Sequence, residues 1–405
     1  MKAFILSLLI SSMALAQSSI RLTVDSGDRA RADAPITVEL PDAKLASPLH
    51  LVEIKADQRI PVPAQLDPST PPRLSFILSG QTPANTKRIF EVVPGLLAAE
   101  QGVEAAKDDR ILDIRIGQST VLRYNHAIVD PPAGQSPLFK RSGFIHPLNS
   151  PGGTTLTEIH PADHIHHLGA WNAWVMTEFE GQKVDFWNIK DGTGTVRFSK
   201  FDAVTSGPVF GGFKAALEHV NLNAPGGEKV ALNELLDVRV WNVGGPKKGG
   251  WIIDWTSTQT CASASPLIMP KYRYGGFGFR ATAAWKGSAS ELLTSEGKTR
   301  TNSHGTRSRW CLIQGTTEAA PAGIVFMSHP QNHEHPEPMR TWPEANNHQF
   351  FNYCPIQQND WKLEPGKTYT FRYRMYAYDG KASKDEAERV WQDFGNPPKV
   401  TVETR

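Results

Sequence analysis

Short runs that alternate apolar and polar residues, cut apart by glycine and proline, recur along the sequence and restrict the chain to a mainly β fold. Ile20-Arg21-Leu22-Thr23-Val24 and Ile36-Thr37-Val38-Glu39-Leu40 alternate cleanly, and residues 51–54 and 111–116 follow the same rule. Further runs lie at 183–189, 195–201, 235–241, 251–260, 323–328 and 369–378. In the last of these Tyr369, Phe371, Tyr373 and Met375 share one face, while Thr370, Arg372, Arg374 and Tyr376 share the other. The 33 glycines and 30 prolines supply the turns that so many short strands need. Residues 384–393 alone read as a convincing helix, with an acidic start and Ala387, Val390 and Trp391 on one side. Residues 96–109 read as a brief helix or a polar loop.

With 405 residues, the chain has length for one large domain or two ordinary ones. Its first residues have the layout of a secretory signal: Lys2, an apolar stretch from Ala3, and Ala14-Leu15-Ala16 before Gln17. That stretch is shorter than the roughly 20 residues a membrane-spanning helix needs. The expected division is a signal peptide at 1–16, a small β-sandwich-like domain at 17–117 and a large β domain at 118–405. An extracytoplasmic location, periplasmic or secreted, and no membrane span after cleavage follow as expectations. The net charge of +2 comes without a long basic run, which argues against a nucleic-acid partner. Cys261, Cys311 and Cys354 form no CxxC pair; export permits one disulfide among them, and three reduced thiols are the alternative.

Chemistry concentrates in Glu158-Ile159-His160-Pro161-Ala162-Asp163-His164-Ile165-His166-His167-Leu168-Gly169. Imidazole binds metals, relays protons near neutral pH and hydrogen-bonds hydroxyls, so so dense a cluster marks a site. In an extended segment His164 and His166 would share a face with His167 opposite, Asp163 or a carbonyl orienting it; a turn would gather all three. The spacing matches neither a helical HExxH site nor a zinc finger, yet His164, His166 and His167 remain candidate ligands for a divalent metal. A second cluster, Ser328-His329-Pro330-Gln331-Asn332-His333-Glu334-His335, follows an apolar strand and offers His329 and Asn332. In Tyr272-Arg273-Tyr274-Gly275-Gly276-Phe277-Gly278-Phe279-Arg280, Arg280 is a candidate clamp for an oxyanion or sugar hydroxyl, with a structural ion pair as the alternative. Trp171, Trp174, Phe186, Trp187 and Trp342 are faces on which a pyranose ring can stack, or core. Glu234 is a carboxylate on a mostly apolar strand; burial near a histidine would raise its pKa and suit it to acid or base work, and pairing with an arginine is the alternative.

The segment from Phe144-Ile145-His146-Pro147-Leu148 to the DHxHHxG motif and Trp171 resembles the signature of a family of soluble bacterial proteins labelled methane oxygenase PmoA, or treated as a domain of unknown function. Asp185-Phe186-Trp187, Tyr274-Gly275-Gly276-Phe277, Trp310, Ser328-His329-Pro330-Gln331-Asn332 and Leu363-Glu364-Pro365-Gly366 follow in the same order. The label is not literal, since a methane monooxygenase subunit sits in the membrane. The resemblance implies a relative of galactose-mutarotase-like proteins, whose β-supersandwich holds a sugar in an open cleft. By that analogy His166 or His167 would serve as acid and Glu234 as base.

The combined expectation is an exported carbohydrate-processing enzyme of epimerase, lyase or hydrolase type. Its catalytic candidates are His164, His166, His167, Glu234 and His329. Its substrate-binding candidates are Asp163, Trp171, Trp187, Arg280 and Asn332. It requires His167 and His329 to lie in one pocket. A metal-dependent enzyme and a non-catalytic glycan-binding protein are the alternatives.

Overall fold

The computed structural model describes residues 20–41, 48–67, 69–97, 101–243, 250–344 and 348–404. The expected signal segment at 1–16 lies outside them. The fold is mainly β, and two eight-stranded antiparallel sheets form its body. The first runs in the order Met339–Thr341, Phe350–Tyr353, Gly276–Arg280, Ala170–Ala173, Phe144–Leu148, Ser119–Asn125, Ile111–Ile116, Val103–Lys107. The second runs Gly194–Thr205, Phe210–Asn221, Lys229–Trp241, Gly250–Cys261, Thr368–Asp379, Pro321–Ser328, Trp310–Thr316, Ser290–Thr294. Their inner faces meet through one continuous apolar core. Phe279 and Phe326 face each other across it with ring centroids 4.7 Å apart, and Phe326 stacks on Phe351 at 4.4 Å.

A smaller sandwich packs Lys399–Thr404, Ile20–Asp25, Lys87–Pro94, Leu49–Lys55 and Gln58–Val62 against a three-stranded sheet of Arg31–Glu39, Arg73–Thr82 and Ala64–Asp67. Its core includes Leu22, Val24, Leu51, Phe76 and Phe90. Strand pairing crosses the simple order of the chain at both ends. Val103–Lys107 and Ile111–Ile116 belong to the first large sheet, whereas the last strand returns to pair with the first described one, Ile20 opposite Thr404.

The helix spans Lys384–Gly395, with Ser383 Oγ accepting from Glu386 N at 3.1 Å as its N-cap. Its apolar stripe, Ala387, Val390 and Trp391, covers the outer face of the second sheet against Trp310, Tyr376 and Tyr378. Two local expectations are corrected. Residues 103–107 form an edge strand rather than a helix or loop, held to Gly207 by paired backbone hydrogen bonds of 2.8 and 3.0 Å. The expected strand at 183–189 stops at Val184, because Asp185 Oδ1 accepts from both Trp187 N and Asn188 N at 2.8 Å and bends the chain into a turn. Cys261, Cys311 and Cys354 are all free thiols. Among the described residues no helix is long and apolar enough to cross a membrane.

Candidate functional site

The histidine motif occupies an excursion between Phe144–Leu148 and Ala170–Ala173, neighbouring strands that pair at Ile145 and Ala170. Its base is closed by Gly169 N to Glu158 O and His160 N to His167 O, both 2.9 Å. Gly169 is required there: its φ is +73°, and a Cβ would stand 2.3 Å from the Ile145 carbonyl oxygen. Two successive turns, His164 N to Pro161 O at 3.0 Å and His167 N to His164 O at 2.9 Å, replace the extended alternative and gather the three imidazoles. His164 stacks on His167 at 4.8 Å and 25°, while His166 stands edge-on to His167 at 4.7 Å. His167 continues the stack onto Phe350 at 4.9 Å.

Arg280 fastens this loop. Its guanidinium is fully buried, with Nη2 donating to Asp163 Oδ1 at 2.7 Å and His348 Nδ1 at 2.6 Å, and Nε donating to Glu158 Oε2 at 3.3 Å. Its Cζ lies 5.1 Å from the centre of the Trp342 ring. Those contacts make it a brace behind the site instead of a clamp facing a ligand. Asp163 likewise serves Arg280 and His164 Nδ1, the latter at 3.1 Å, and does not orient His167. His167 Nδ1 is buried with no partner among the described residues.

In front of the loop lies a cleft of about 390 Å³, lined by His164, His166, His167, Trp187, Trp342 and Phe350 and, from later segments, by Tyr272, Arg273, Tyr274 and Arg340. Asn188 and Lys190 also reach it. Trp171 does not line it; the indole packs beneath, 4.8 Å from Trp187 and 5.1 Å from His167. Burial, reinforced by His164, Arg141 and Arg280, pushes the His166 imidazole down to about 3. His167 is held well below the usual range by burial and then by His166 and His164. For His164, burial and the cations Arg280 and Arg340 outweigh the Asp163 hydrogen bond and lower it too. All three are therefore neutral near pH 7, each with one nitrogen to donate and one to accept a proton. Stacked rings do not converge their lone pairs on a point, and among the described residues no group of three or more His, Cys, Asp or Glu side chains is arranged to hold a metal ion. The three imidazoles as placed do not fit a metal centre.

Other expected members stand apart from the cleft. Glu234 is buried in the core, where it accepts from His219 Nε2 at 2.7 Å, Ser257 Oγ at 2.6 Å and Asn172 Nδ2 at 3.0 Å. Burial alone would raise its carboxyl, but these neighbours outweigh burial and hold it below the usual value, the reverse of the expectation. His329 packs edge-on against Phe394 at 5.1 Å, and its backbone N–H reaches Arg372 O at 3.2 Å. Asn332 braces the same strand end through Arg372 O at 2.9 Å and Glu337 Oε2 at 3.0 Å. Neither lines the cleft with His167. Nothing local in the sequence points to Arg340, Lys190 or Asn188, and Tyr272, Arg273 and Tyr274 fall in the run singled out for Arg280, without a role of their own.

No curated protein matches the chain. Among solved structures it is similar to the heparan sulfate lyase HepC from Pedobacter heparinus, at 10% identity and a TM-score of 0.31, over 72% of this chain and 38% of the lyase. A galactose mutarotase related enzyme from Lactobacillus acidophilus matches at 8% identity and a TM-score of 0.28, over 69% of this chain and 100% of that one. An alpha-galactosidase from Lactobacillus brevis matches at 9% identity and a TM-score of 0.27, over 73% and 42%. The chain thus spans well under half the length of the lyase. The methane-oxygenase label does not appear in the description of the matching family. Residues 111–392 match the model of a family of unknown function (DUF6807), and the chain belongs to that family.

Proposed function

We propose that the cleft binds a carbohydrate or sugar-derived molecule and that His164, His166 and His167 move a proton on it, as an epimerase, lyase or hydrolase would. The observation that carries this reading is the gathering of three neutral imidazoles in one aromatic-walled cleft. A neutral imidazole gives one proton and takes another near pH 7 without first losing a charge, and the buried rings of Trp187, Trp342 and Phe350 form an apolar floor beside half-buried Tyr272 and Tyr274, whose rings are the ones open to a sugar. His164, the most open of the three and hydrogen-bonded to Asp163 at 3.1 Å, is the leading proton carrier, with His166 and His167 relaying beside it. Glu234 has no part at this cleft on this reading. The leader at 1–16 directs export, so that the working protein begins at Gln17; N-terminal sequencing of exported material checks that start.

Incubation with a panel of mono- and oligosaccharides, followed by NMR of anomeric and ring protons, tests the reading. His164→Ala should slow the change by about 10²-fold or more, the usual scale for a lost proton carrier, and His166→Ala should slow it less. Their cleft should still bind sugar. Binding without turnover, weakened more by Tyr272→Ala than by His164→Ala, would make the protein a non-catalytic glycan binder. Absence of any sugar binding overturns the reading altogether.

A further inference from the structure

Two guanidinium groups share the cleft without an acidic partner. Arg273 and Arg340 place their Cζ atoms 5.7 and 5.1 Å from the centre of the same Tyr274 ring. Among the described residues neither has a carboxylate within ion-pairing distance, although neighbouring arginines do. Arg307 pairs with Glu334, Arg309 with Glu388 at 2.9 Å, and Arg374 with Asp254 at 2.6 Å. The acids of the cleft are not substitutes. Asp185 is occupied by Trp187 N, Asn188 N and Asn188 Nδ2, at 2.8, 2.8 and 2.6 Å, and Asp191 is exposed. Lys190 adds a third cation to the lining.

Like charges brought together around one ring repel, and the repulsion leaves its mark. Burial and then Arg273 hold the Arg340 guanidinium below its ordinary value. Tyr274 cannot relieve it as a phenolate, since burial pushes its phenol up to about 12, and its hydroxyl donates to Asn188 Oδ1 at 3.0 Å. The π-face is a partial partner only. What completes two planar five-donor forks is an oxyanion that accepts from both.

We infer that Arg273 and Arg340 form an anion subsite of the histidine cleft, and that the molecule bound there is an acidic sugar whose carboxylate or sulfate group they hold. This deepens the proposed function and rests on it. The subsite fixes the acidic group while the sugar ring occupies the aromatic wall, which places ring positions within reach of the imidazoles.

Full-length protein titrated with glucuronate, glucose, glucose 6-sulfate and inorganic sulfate, by calorimetry or NMR at low salt, tests this. Glucuronate or glucose 6-sulfate should bind at least about ten-fold more tightly than glucose, a difference of about 1.4 kcal/mol. Arg340→Met should erase the preference, and so should Arg273→Met, whose exposed side chain can be removed without disturbing the core. Equal binding of glucose and both acidic sugars, or a preference that survives both substitutions, overturns the subsite and leaves the sugar reading standing. Binding of inorganic sulfate, abolished in the variants, without binding of any sugar keeps the subsite and overturns the sugar reading. No binding of any of the four overturns both.

Discussion

At the residue scale the site depends on Arg280, which stands behind the cleft and does not line it. One fully buried guanidinium holds Asp163 and Glu158 on the motif loop, His348 beside it and the Trp342 ring. Arg280→Met keeps much of the volume and removes every donor. Asp163 and Glu158 are both partly open to water and can rehydrate, so the cost sits nearer the about 1.5–3 kcal/mol of a charged hydrogen bond than the larger penalty of stranding a buried charge. A urea midpoint lowered by that amount, together with weakened sugar binding, is the expected result; an unchanged midpoint would show that the loop holds its shape without the brace. Sequence marked Arg280 as important but not as what, because a clamp and a brace differ only in which side of the strand faces water. Glu234 illustrates the same limit. Its position on an alternating strand gave no sign that His219, Ser257 and Asn172 surround it and hold it ionised in the core.

At the element scale, the strands were legible because alternation with one buried face is a local property. The loop between Val184 and Gly194 was not, since a single carboxylate at Asp185 turned an apolar run into a bend. Arg340 was also illegible: it reaches the cleft through strand register, opposite Asn352, which no local pattern encodes. The strand Gly276–Arg280 shows how an element shapes the site from behind. A Cβ on Gly278 would lie 2.6 Å from the Trp187 ring and 3.1 Å from Trp171. Gly278→Ala should therefore drive Trp187 toward the cleft at an overpacking cost of about 1–3 kcal/mol. Near-UV circular dichroism and thermal melting report this directly. A spectrum and a melting temperature equal to those of the wild type would mean the two indoles have slack that the packing does not show.

At the scale of the whole molecule, buried titratable groups make stability depend on pH in a direction that can be worked out. Burial pushes His166 down to about 3 and, with help from neighbouring cations, His146 and His329 to about 4, and His167 falls well below its ordinary value. The unfolded chain takes protons on these imidazoles once the pH drops below 6.5, and the native chain does not. Their contribution is therefore full above 6.5 and is lost as the pH falls toward 4 and then 3. Glu337 works the other way. Burial raises its carboxyl to about 7 despite hydrogen bonds from Ser328, Asn332 and Tyr373, so the native state keeps a proton that the unfolded chain releases near 4.5. Its contribution is full below 4.5 and is lost as the pH rises to 7. Across the shared window these imidazoles, with His164 and others lowered in the same direction, outnumber the raised carboxyls Glu337 and Asp393, and the imidazoles prevail. Melting temperature should fall steadily from pH 6.5 to pH 4.5, and Glu337→Gln should make that fall steeper while leaving the range above pH 7 flat. A wild-type melting temperature unchanged between pH 7 and pH 4.5 would mean that the imidazoles of the cleft are open to water and titrate as free histidine does.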